Sequence, residues 1–477
     1  MTRTKIVCTI GPATNSPEKM RSLLQAGMNV ARINFSHGDH VTHSESIATL
    51  REVAEEERCL VAIIADLQGP KLRVGRIEDE PMTLRRGELV TLSPPPVSGG
   101  KDEIPVPHPE LLRDLTAGQT VLLDDGDLSL TVERRGEGSR LKARVVTGGD
   151  LTSHKGINVP GAQLSFSSLT DKDREDATFA LECGVDYFAL SFVRRAADVR
   201  ELRHFLRSRG AEDPSIIAKI EKPEALTDFD QILAESDAIM VARGDLGVET
   251  PAEEVPFHQK RLIRACNRAG KPVITATQML QRMIEHPRPT RAEASDIANA
   301  ILDGTDAVML SGETAIGKYP IRATETMATI CANAEVHLPR SRQGDSGGSC
   351  YDVTTEAISL SAVETATEVG ARAIVTATMS GTTARMVARH RPAVPVVAVT
   401  PNVTTLYRLA LVWGVIPVEV PEFTTTDEMV EMMVEAARKR GLVAWGDSVV
   451  LTAGIPFGHV KKTNMLKVHV MGESRMI

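Results

Sequence analysis

Aromatic residues are scarce in this chain, since they make up 3% of its 477 residues and include two Trp and four Tyr. Cysteine is sparse as well. The six Cys are scattered at positions 8, 59, 183, 266, 331 and 350, without a C-x-x-C pair and without a histidine cluster at zinc-finger spacing. This distribution argues against a disulfide framework or a zinc module, and we expect reduced, mostly buried thiols.

Long hydrophobic runs are also missing. The purest apolar stretch, residues 59–65, is much shorter than the roughly 18 residues that a membrane-spanning helix needs. The N-terminal residues lack the charged and apolar regions of a secretory signal peptide. We therefore expect a cytoplasmic protein with no membrane partner.

Basic residues are not in excess in this chain. Lys and Arg total 55 against 63 Asp and Glu, which gives a net charge of −8. A field of this sign repels nucleic-acid backbones and anionic membranes, so we expect no nucleic-acid partner. An anionic ligand would have to be held by local basic side chains.

The chain does have an ordinary globular composition and considerable length. Apolar residues make up 42% and charged residues 25%, which fits badly with disordered, fibrous or membrane classes. At roughly 100–200 residues per domain, 477 residues predict about three domains, or one large barrel with appended parts.

Eight short apolar runs bounded by turn residues supply the main structural signal. They are rich in β-branched residues and nearly continuous, which is typical of parallel strands covered on both faces. Helical patterns follow nearly every run, for example after the cap residue Ser16 and after the capping-box pair Thr290 and Glu293. Such repeats predict a (β/α)8 TIM barrel. The runs are residues 5–10, 29–34, 61–66, 186–191, 215–220, 237–241, 271–276 and 306–310.

Two further regions differ in texture from the barrel. Residues 71–166 contain short alternating pieces broken by Pro and Gly, which predicts a small β-barrel inserted on the third βα loop as a lid. Beyond a polar stretch, five strand-like runs alternate with helical segments and predict a separate α/β domain. We therefore predict a catalytic barrel at residues 1–70 and 167–338, a β lid at 71–166 and a C-terminal α/β domain at 339–477.

Polar residues at the ends of the predicted barrel strands are candidates for chemistry, because such barrels carry their reacting groups at the carboxyl ends of their strands. Three pairs among them, 32 with 34, 219 with 221 and 243 with 245, have i, i+2 spacing, which places both side chains on one face of an extended chain. The candidates are Arg32, Asn34, Ser36, Asp66, Lys219, Glu221, Arg243, Gly244, Asp245, Thr277 and Ser311.

A metal site and an anion site follow from these residue types. Glu221 and Asp245 form a suitable carboxylate pair for Mg²⁺ or Mn²⁺, with water and substrate oxygens as the remaining ligands. The cationic Arg32, Lys219 and Arg73 suit a substrate phosphate. A buried ion-pair network would account for one such pair, but charged residues at most strand ends favour a functional site.

Seven segments resemble those of the pyruvate kinase family, and they follow the family's order along almost the whole chain. The resemblance implies transfer of a phosphoryl group from phosphoenolpyruvate to ADP, giving pyruvate and ATP as the last step of glycolysis. It also implies a homotetramer that uses Mg²⁺ or Mn²⁺. The segments are 4–14 (TKIVCTIGPAT), 29–38 (NVARINFSHG), 217–222 (IAKIEK), 240–247 (MVARGDLG), 276–280 (ATQML), 287–293 (PRPTRAE) and 309–314 (MLSGET).

The same resemblance assigns roles to individual residues. Lys219 stabilises charge on the transferring phosphoryl group, and Glu221 with Asp245 holds the divalent metal. Thr277 and Ser311 serve protonation of the enolate. The implied catalytic residues are Arg32, Lys219, Thr277 and Ser311, the substrate-binding residues are Arg32, Lys219, Gly244, Asp245 and Thr277, and the nucleotide-binding residues are Asn34, Phe35, Ser36, His37, Arg73 and the lid residue Lys155.

Two departures from the family pattern concern the monovalent cation. Potassium-dependent relatives have Thr where this chain has Leu67 and Glu where it has Lys71. Their K⁺ lies among the counterparts of Asn34, Ser36, Asp66 and Leu67. A lysine ammonium is a compact unit cation, so we expect Lys71 to act as an internal cation and K⁺ not to be required. The alternative is that Lys71 is a solvated hinge residue at the start of the lid.

A loop near the C-terminus, residues 378–383 (TMSGTT), follows a predicted strand and precedes a predicted helix at about 384–391. Amides and hydroxyls in such a place bind anions, although an ordinary Ser/Thr helix cap gives the same pattern. The family uses this loop to hold a phosphate of an allosteric effector. We therefore expect a phosphorylated effector of open identity, bound by Thr378, Ser380, Gly381, Thr382 and Thr383.

Two other functions stay open at this level. A citrate-lyase-like aldolase also uses an acidic metal pair and an arginine, but it would need neither Arg73 and Lys155 nor a lid. A non-catalytic metabolite sensor would keep the C-terminal domain on an inactive barrel. The residues that argue against it, because they are intact, are Lys219, Glu221, Asp245 and Thr277.

Overall fold

Parallel strands close into an eight-stranded barrel in the computed structural model, which describes residues 2–96, 102–162, 164–338, 352–456 and 462–472. Nearly every position in these strands is buried, because helices cover the outside and side chains fill the inside. In chain order the strands are β1 Lys5–Ile10, β2 Val30–Asn34, β3 Ala62–Asp66, β4 Met82–Leu84, β5 Leu89–Ser93, β6 Glu103–Pro105, β7 Thr120–Leu123, β8 Leu128–Arg135, β9 Leu141–Thr147, β10 Gly149–Leu151, β11 Ile157–Asn158, β12 Tyr187–Leu190, β13 Ile216–Ile220, β14 Ala238–Ala242, β15 Val273–Ala276, β16 Ala307–Leu310, β17 Ala373–Ala377, β18 Val396–Thr400, β19 Val415–Glu419, β20 Ser448–Ala453 and β21 Met465–Val470.

The barrel strands follow one another around the ring in chain order, β1-β2-β3-β12-β13-β14-β15-β16, and β16 closes on β1. Each of the eight predicted runs is one of these strands, so the (β/α)8 prediction is confirmed. Their parallel register aligns Asn34 at the end of β2 with Asp66 at the end of β3. The carboxyl ends of all eight strands therefore meet at one rim.

Helices alternate with the barrel strands, and their starts obey the sequence signals. The Ser16 hydroxyl accepts the Lys19 N–H at 3.4 Å, and Thr290 and Glu293 form the predicted capping box. In chain order the helices are α1 Pro17–Ala26, α2 His40–Glu56, α3 Pro109–Asp114, α4 Asp171–Glu182, α5 Ala196–Ser208, α6 Pro223–Thr227, α7 Phe229–Glu235, α8 Arg243–Glu249, α9 Val255–Arg268, α10 Arg291–Asp303, α11 Gly312–Ala315, α12 Pro320–Glu335, α13 Val353–Glu368, α14 Thr382–Ala388, α15 Val403–Arg408 and α16 Thr426–Lys439.

Strands β4 to β11 lie between β3 and α4 and form the predicted lid. Six of them pair in the order β11-β7-β8-β9-β5-β6, and β10 pairs with β4. Buried positions alternate with more exposed ones in the first half of β8, as in a sheet with one covered face. The lid has an apolar cluster of its own. The short helix α3 was not predicted, because so few residues carry little periodic signal.

The C-terminal region contains a five-stranded sheet in the order β19-β18-β17-β20-β21, in which β21 is antiparallel to β20. Its five strands coincide with the five predicted runs. The helix predicted at about 384–391 is α14, which begins and ends earlier, because Gly381 at φ +78° caps its start and Arg391 at φ +53° lies beyond its end. The predicted boundary at residue 339 lies outside the described residues, and the domain limits stay a prediction.

Among the described residues, no helix is both long enough and apolar enough to cross a bilayer.

A buried ion pair joins the C-terminal region to the barrel. Arg391 Nη1 lies 3.0 Å from Asp306 Oδ1, and the two side chains are 6% and 7% exposed. Arg391 Nη2 donates to Asn267 Oδ1 at 3.0 Å, and its guanidinium carbon is 4.9 Å from the centre of the Trp413 ring. Because Asp306 immediately precedes β16, this contact lies at the end of the barrel opposite the carboxyl rim.

Substituting Arg391→Ala should lower the free energy of unfolding by about 3–5 kcal/mol, because it leaves the buried Asp306 carboxylate without its cation. Urea denaturation followed by circular dichroism measures this loss. The control is Arg372→Ala, since Arg372 is 67% exposed and lies 4.0 Å from Asp447. Its expected cost is below about 1 kcal/mol. Equal losses in the two variants would contradict the proposed anchoring.

Candidate active site

Lys219, on β13, lies at the rim of the barrel with 11% of its side chain exposed. Its Nζ is 3.1 Å from Asp66 Oδ1, 2.9 Å from Glu221 Oε1 and 2.7 Å from the Ser191 hydroxyl oxygen. An ammonium group has three N–H donors, so these acceptors can use all of them. The lysine is therefore fixed from three directions.

Arg32, on β2, shares the Asp66 carboxylate with Lys219. Its Nε lies 2.6 Å from Asp66 Oδ2, and its Nη1 donates to the Thr9 hydroxyl at 3.0 Å. The two cations thus contact opposite oxygens of one carboxylate. Asp66 holds them side by side, as an anion site at this rim requires.

Burial disfavours the charged forms of the groups in this cluster, but the attraction between opposite charges is stronger than this effect. Burial alone would lower the pKa of Lys219, yet Asp66 and Glu221 raise it above its ordinary value. Burial acts to raise the pKa of Asp66, yet Arg32 and Lys219 bring it below its ordinary value. Lys219 and Asp66 are therefore both charged at neutral pH.

Two carboxylates, Glu221 and Asp245, lie beside this cluster. Glu221 is buried, and its Oε2 accepts the Phe192 N–H at 2.8 Å. Asp245, in the first turn of α8, keeps part of its surface exposed to solvent. The protein atoms packed around it, followed by the nearby charge of Glu221, raise its pKa to about 6.

The mutual repulsion of Glu221 and Asp245 is the observation that fits a divalent cation, because a metal ion between two carboxylates removes it. No group of three or more His, Cys, Asp or Glu side chains suited to a metal occurs in the described part of the chain. Two protein carboxylates agree with Mg²⁺, which keeps several ligands from water and substrate.

Thr277 directly follows β15 and touches the start of α8. Its backbone is left-handed, with φ +66°, and Gln278 follows with φ +54°. The Gly244 N–H donates to Thr277 Oγ1 at 2.7 Å. A Cβ on residue 244 would lie 3.3 Å from that oxygen, so glycine permits the close approach. Two predicted substrate-binding residues are thus in direct contact.

The prediction that Arg243 and Asp245 share one face is wrong. Both lie in the first turn of α8, so helical geometry separates them where an extended strand would have aligned them. Arg243 is buried, and it donates to the Thr277 carbonyl at 2.8 Å and to Asp296 Oδ2 at 2.6 Å. It holds the strained loop after β15 through contacts made within the protein.

Ser311 lies at the same rim, directly after β16. Its N–H donates to Glu313 Oε2 at 2.7 Å, and the Leu280 N–H donates to Glu313 Oε1 at 3.0 Å. The buried Glu313 therefore ties the end of β16 to the loop that follows β15.

The predicted nucleotide residues after β2 form a tight turn, in which Asn34 Oδ1 accepts the Ser36 N–H at 3.1 Å. The Phe35 ring is buried and lies 4.5 Å from the His43 ring, so it does not face the cleft. His37 is exposed. The part of its ring that the protein does cover, together with the nearby cations, Lys71 foremost, lowers the pKa of His37, so it is mostly neutral at pH 7.

The other predicted nucleotide residues, Arg73 and Lys155, are neighbours at the base of the lid. Arg73 forms an isolated antiparallel bridge with Gly156, the residue after Lys155. Lys155 Nζ lies 2.8 Å from Asp124 Oδ1, and this hydrogen bond raises the pKa of Lys155. The lid therefore brings two cations together, one of them already paired.

The monovalent-cation residues are arranged differently from the expectation. Leu67 is fully buried in the barrel core. Lys71 is half-buried; burial and Arg73 lower its pKa, and the carboxylates that oppose this shift are Asp245 and Asp125. Within the described residues, no ion pair links Lys71 to Asp66, whose oxygens are taken by two other cations.

A buried glutamate connects the lid to the helix that carries Asp245. Glu249, at the end of α8, lies 2.6 Å from Lys222 Nζ. Its Oε1 also accepts from Asn158 Nδ2 of the lid strand β11 at 2.7 Å. The position of the lid is thus coupled to α8.

The predicted effector loop lies between β17 and α14. The Ser380 and Thr382 hydroxyl oxygens are 2.9 Å apart, and Arg385 Nη1 donates to the Ser380 carbonyl at 3.3 Å. Thr383 Oγ1 is 3.0 Å from Thr463 Oγ1, in the segment after β20. Among the predicted loop residues, Thr378, Thr382 and Thr383 are buried, Gly381 has φ +78° and Ser380 is exposed.

Three residues at the rim were not singled out in the sequence: Thr9, Ser191 and Phe192. Thr9 binds Arg32, Ser191 binds Lys219, and the Phe192 backbone binds Glu221. Ser191 follows β12 just as Ser311 follows β16. The position of Ser191 at the end of a barrel strand is therefore the sequence signal that marks it.

A (β/α)8 barrel whose rim combines clustered cations, a carboxylate pair suited to Mg²⁺ and an inserted β lid defines an enzyme that acts on a phosphorylated substrate.

Comparison with known proteins makes this class specific. The family model described as pyruvate kinase, barrel domain, matches residues 1–324, and the pyruvate kinase alpha/beta domain matches residues 356–469. Pyruvate kinase from Geobacillus stearothermophilus is 49% identical over 473 residues, which are 99% of this chain and 81% of that relative. The relative from Sporosarcina psychrophila is 45% identical over 475 residues, with the same two shares, 99% and 81%.

A solved structure agrees with the sequence comparisons. The crystal structure of a pyruvate kinase from Cryptosporidium parvum superposes with a TM-score of 0.91 at 37% identity, covering 98% of this chain and 96% of that chain. The chain belongs to the pyruvate kinase family. It is a phosphotransferase of glycolysis, with phosphoenolpyruvate and ADP as substrates and pyruvate and ATP as products.

Proposed function

We propose that the rim of the barrel carries out this phosphoryl transfer with Mg²⁺ or Mn²⁺, and that Lys219 and Arg32 neutralise the charge of the transferring group. The observation that carries the proposal is the pair of cations held on one buried carboxylate, Asp66. Phosphoryl transfer needs mainly positioning and charge neutralisation, and a rigid cation pair supplies both.

Glu221 and Asp245 hold the divalent metal in this proposal. When bound, the metal supplies positive charge to phosphate and enolate oxygens. The Phe192 N–H keeps Glu221 oriented by binding its second oxygen. Gly244 and Asp245, at the start of α8, and Arg32 contact the substrate.

Thr277 and Ser311 serve the protonation of the enolate, the step that draws the reaction toward ATP. The Thr277 hydroxyl donates to the Ala276 carbonyl at 2.6 Å and accepts from the Gly244 N–H. These two bonds fix the position of its oxygen. Glu313 holds the backbone that carries Ser311.

The nucleotide binds on the other side of the cleft, against Asn34, Ser36 and His37 and the lid residues Arg73 and Lys155. Phe35 can contribute only through its backbone carbonyl, which also accepts from Lys172 Nζ at 2.9 Å, because its ring is buried and its N–H donates to the Asp66 carbonyl. Binding of the nucleotide phosphates exchanges the Asp124 partner of Lys155 for phosphate. Closure of the lid then excludes water that would otherwise take the phosphoryl group.

Lys219→Met should lower kcat on the order of 100- to 1,000-fold, because it removes a positive charge aimed at the transition state. A coupled lactate dehydrogenase assay with phosphoenolpyruvate, ADP and Mg²⁺ measures the rate, and Mn²⁺ binding followed by electron paramagnetic resonance should persist because Glu221 and Asp245 remain. The control is Lys142→Met, on a lid lysine that donates to the Thr91 hydroxyl.

Two results would speak against this function. If the unmodified protein gives no turnover but binds a sugar phosphate or nucleotide, it is a metabolite sensor. If phosphoenolpyruvate or another acid is consumed without ADP, a citrate-lyase-like aldolase is favoured.

Potassium independence is the second proposal. The internal cation is Lys71, but its charge acts toward Asp245 and His37 and not through an ion pair with Asp66. The buried Leu67 offers no side-chain oxygen to K⁺. Together these two residues leave the region short of K⁺ ligands and rich in positive charge.

Substantial activity should appear with tetramethylammonium as the only monovalent salt, and KCl at constant ionic strength should add little. Lys71→Glu changes the local charge by two units, so it should lower that activity and create dependence on added K⁺. Initial rates in the two salts measure both effects. Strong K⁺ activation of the unmodified enzyme would refute the proposal.

Allosteric regulation is the third proposal. The hydroxyls of residues 378–383 converge with Arg385 between β17 and α14, which supports binding of an effector phosphate by Thr378, Ser380, Gly381, Thr382 and Thr383. Residues 457–461 lie outside the described residues. We also infer a cytoplasmic homotetramer, with domain limits at residues 70, 166 and 338.

Rates measured over a range of phosphoenolpyruvate should be sigmoidal, and at least one of AMP, ribose 5-phosphate, glucose 6-phosphate and fructose 1,6-bisphosphate should make them more hyperbolic. Ser380→Asp should weaken that response roughly tenfold or more, because it adds like charge to an anion site. Ser208→Asp, on an exposed residue of α5, is the control. Hyperbolic curves insensitive to all four compounds would remove the reason for this assignment.

A further inference from the structure

Ser191 lies where three strands of the rim meet, and it is 2% exposed. Its hydroxyl donates to the Leu67 carbonyl at 2.6 Å, and Lys219 Nζ donates to the same hydroxyl at 2.7 Å. A serine hydroxyl has one proton. With that proton committed to the carbonyl, the oxygen can act toward Lys219 only as an acceptor.

The next residue, Phe192, has a left-handed backbone with φ +55°, which is strained for a bulky aromatic residue. The N–H of the same residue donates to Glu221 Oε2 at 2.8 Å. The turn also packs closely against Gly69, because a Cβ on that residue would lie only 2.7 Å from Phe192 Cδ2. Backbone strain of this kind persists where the surroundings enforce it, and it concentrates at functional sites.

One turn therefore holds both members of the Lys219–Glu221 pair, by an acceptor on Ser191 and a donor on Phe192. Two carboxylates alone would leave the ammonium free to swing about the line between them. A third acceptor removes that freedom. Because this acceptor is neutral, it fixes the lysine without cancelling more of its positive charge.

We propose that Ser191 is a positioning residue for phosphoryl transfer, which acts by holding the Lys219 ammonium at the place where the transferring group must meet it. The inference rests on the role proposed above for Lys219. It adds a requirement on the orientation of that lysine, and it assigns the strained turn at 191–192 a function in the reaction.

Ser191→Ala should lower kcat roughly 10- to 100-fold, because a displacement of about 1 Å in a reacting group costs that much, while the KM for phosphoenolpyruvate changes little. The matched control is Ser236→Ala, which removes another buried hydroxyl that donates to a carbonyl, that of Ile232 at 2.7 Å. Ser236→Ala should leave kcat unchanged. Thermal unfolding of both variants measures the structural cost of losing the hydroxyl.

A double variant separates positioning from general loosening of the site. In the Lys219→Met background, Ser191→Ala should change the rate less than about twofold, because Ser191 has no ammonium left to position. Single-turnover measurements with enzyme in excess, followed over hours, make these slow rates accessible. A crystal structure of the Ser191→Ala variant should show Lys219 Nζ displaced toward Asp66 or Glu221.

Three results would overturn the inference: an unchanged kcat in Ser191→Ala, an effect of equal size in the two backgrounds, or an unmoved Lys219 in the variant structure. If Lys219→Met itself keeps full activity, the proposed role of the lysine fails, and the inference fails with it. If Lys219→Met is inactive while Ser191→Ala is not, the inference alone fails.

Discussion

The buried carboxylate of Asp66 is the constraint on which the rim of this barrel depends. An isolated buried anion is costly, and it is stable here because Arg32 and Lys219 each bind one of its oxygens. The same arrangement keeps two like charges close together in the absence of any ligand. The two cations that stabilise buried Asp66 are thus also the two that are placed to bind an anionic substrate.

Helix α8 links the lid to the rim of the barrel. This helix begins at Arg243, and its first turn holds Gly244 against Thr277 and carries Asp245. It ends at Glu249, which binds the lid through Asn158. A movement of the lid therefore acts on a rigid element that also carries a metal ligand. The strained loop after β15 is tied to the same helix, because Arg243 donates to the carbonyls of Thr277 and Gln278.

Much of this architecture can be predicted from the sequence. The eight barrel strands are continuous apolar runs, since parallel strands buried on both faces leave no polar alternation, and caps such as Thr290 with Glu293 are local and therefore predictable. The directions of individual side chains are harder to predict from the sequence. Arg243 and Asp245 looked like a strand pair because nothing in their spacing reveals that a helix starts immediately after β14. Phe35 sits in a motif of cleft residues, yet its ring packs against His43, whose proximity only the fold creates. The sequence shows that Lys71 is five residues from Asp66, but it does not show whether the two side chains meet in the folded protein.

The short strand β16 has a mechanical consequence. It begins directly after Asp306, which receives Arg391 of the C-terminal region, and it ends directly before Ser311. Its four residues, Ala307–Leu310, span only about 13 Å at roughly 3.3 Å per residue. The Arg391–Asp306 salt bridge and Ser311 are therefore attached to the two ends of one short strand, and a shift of β16 along its axis would move both.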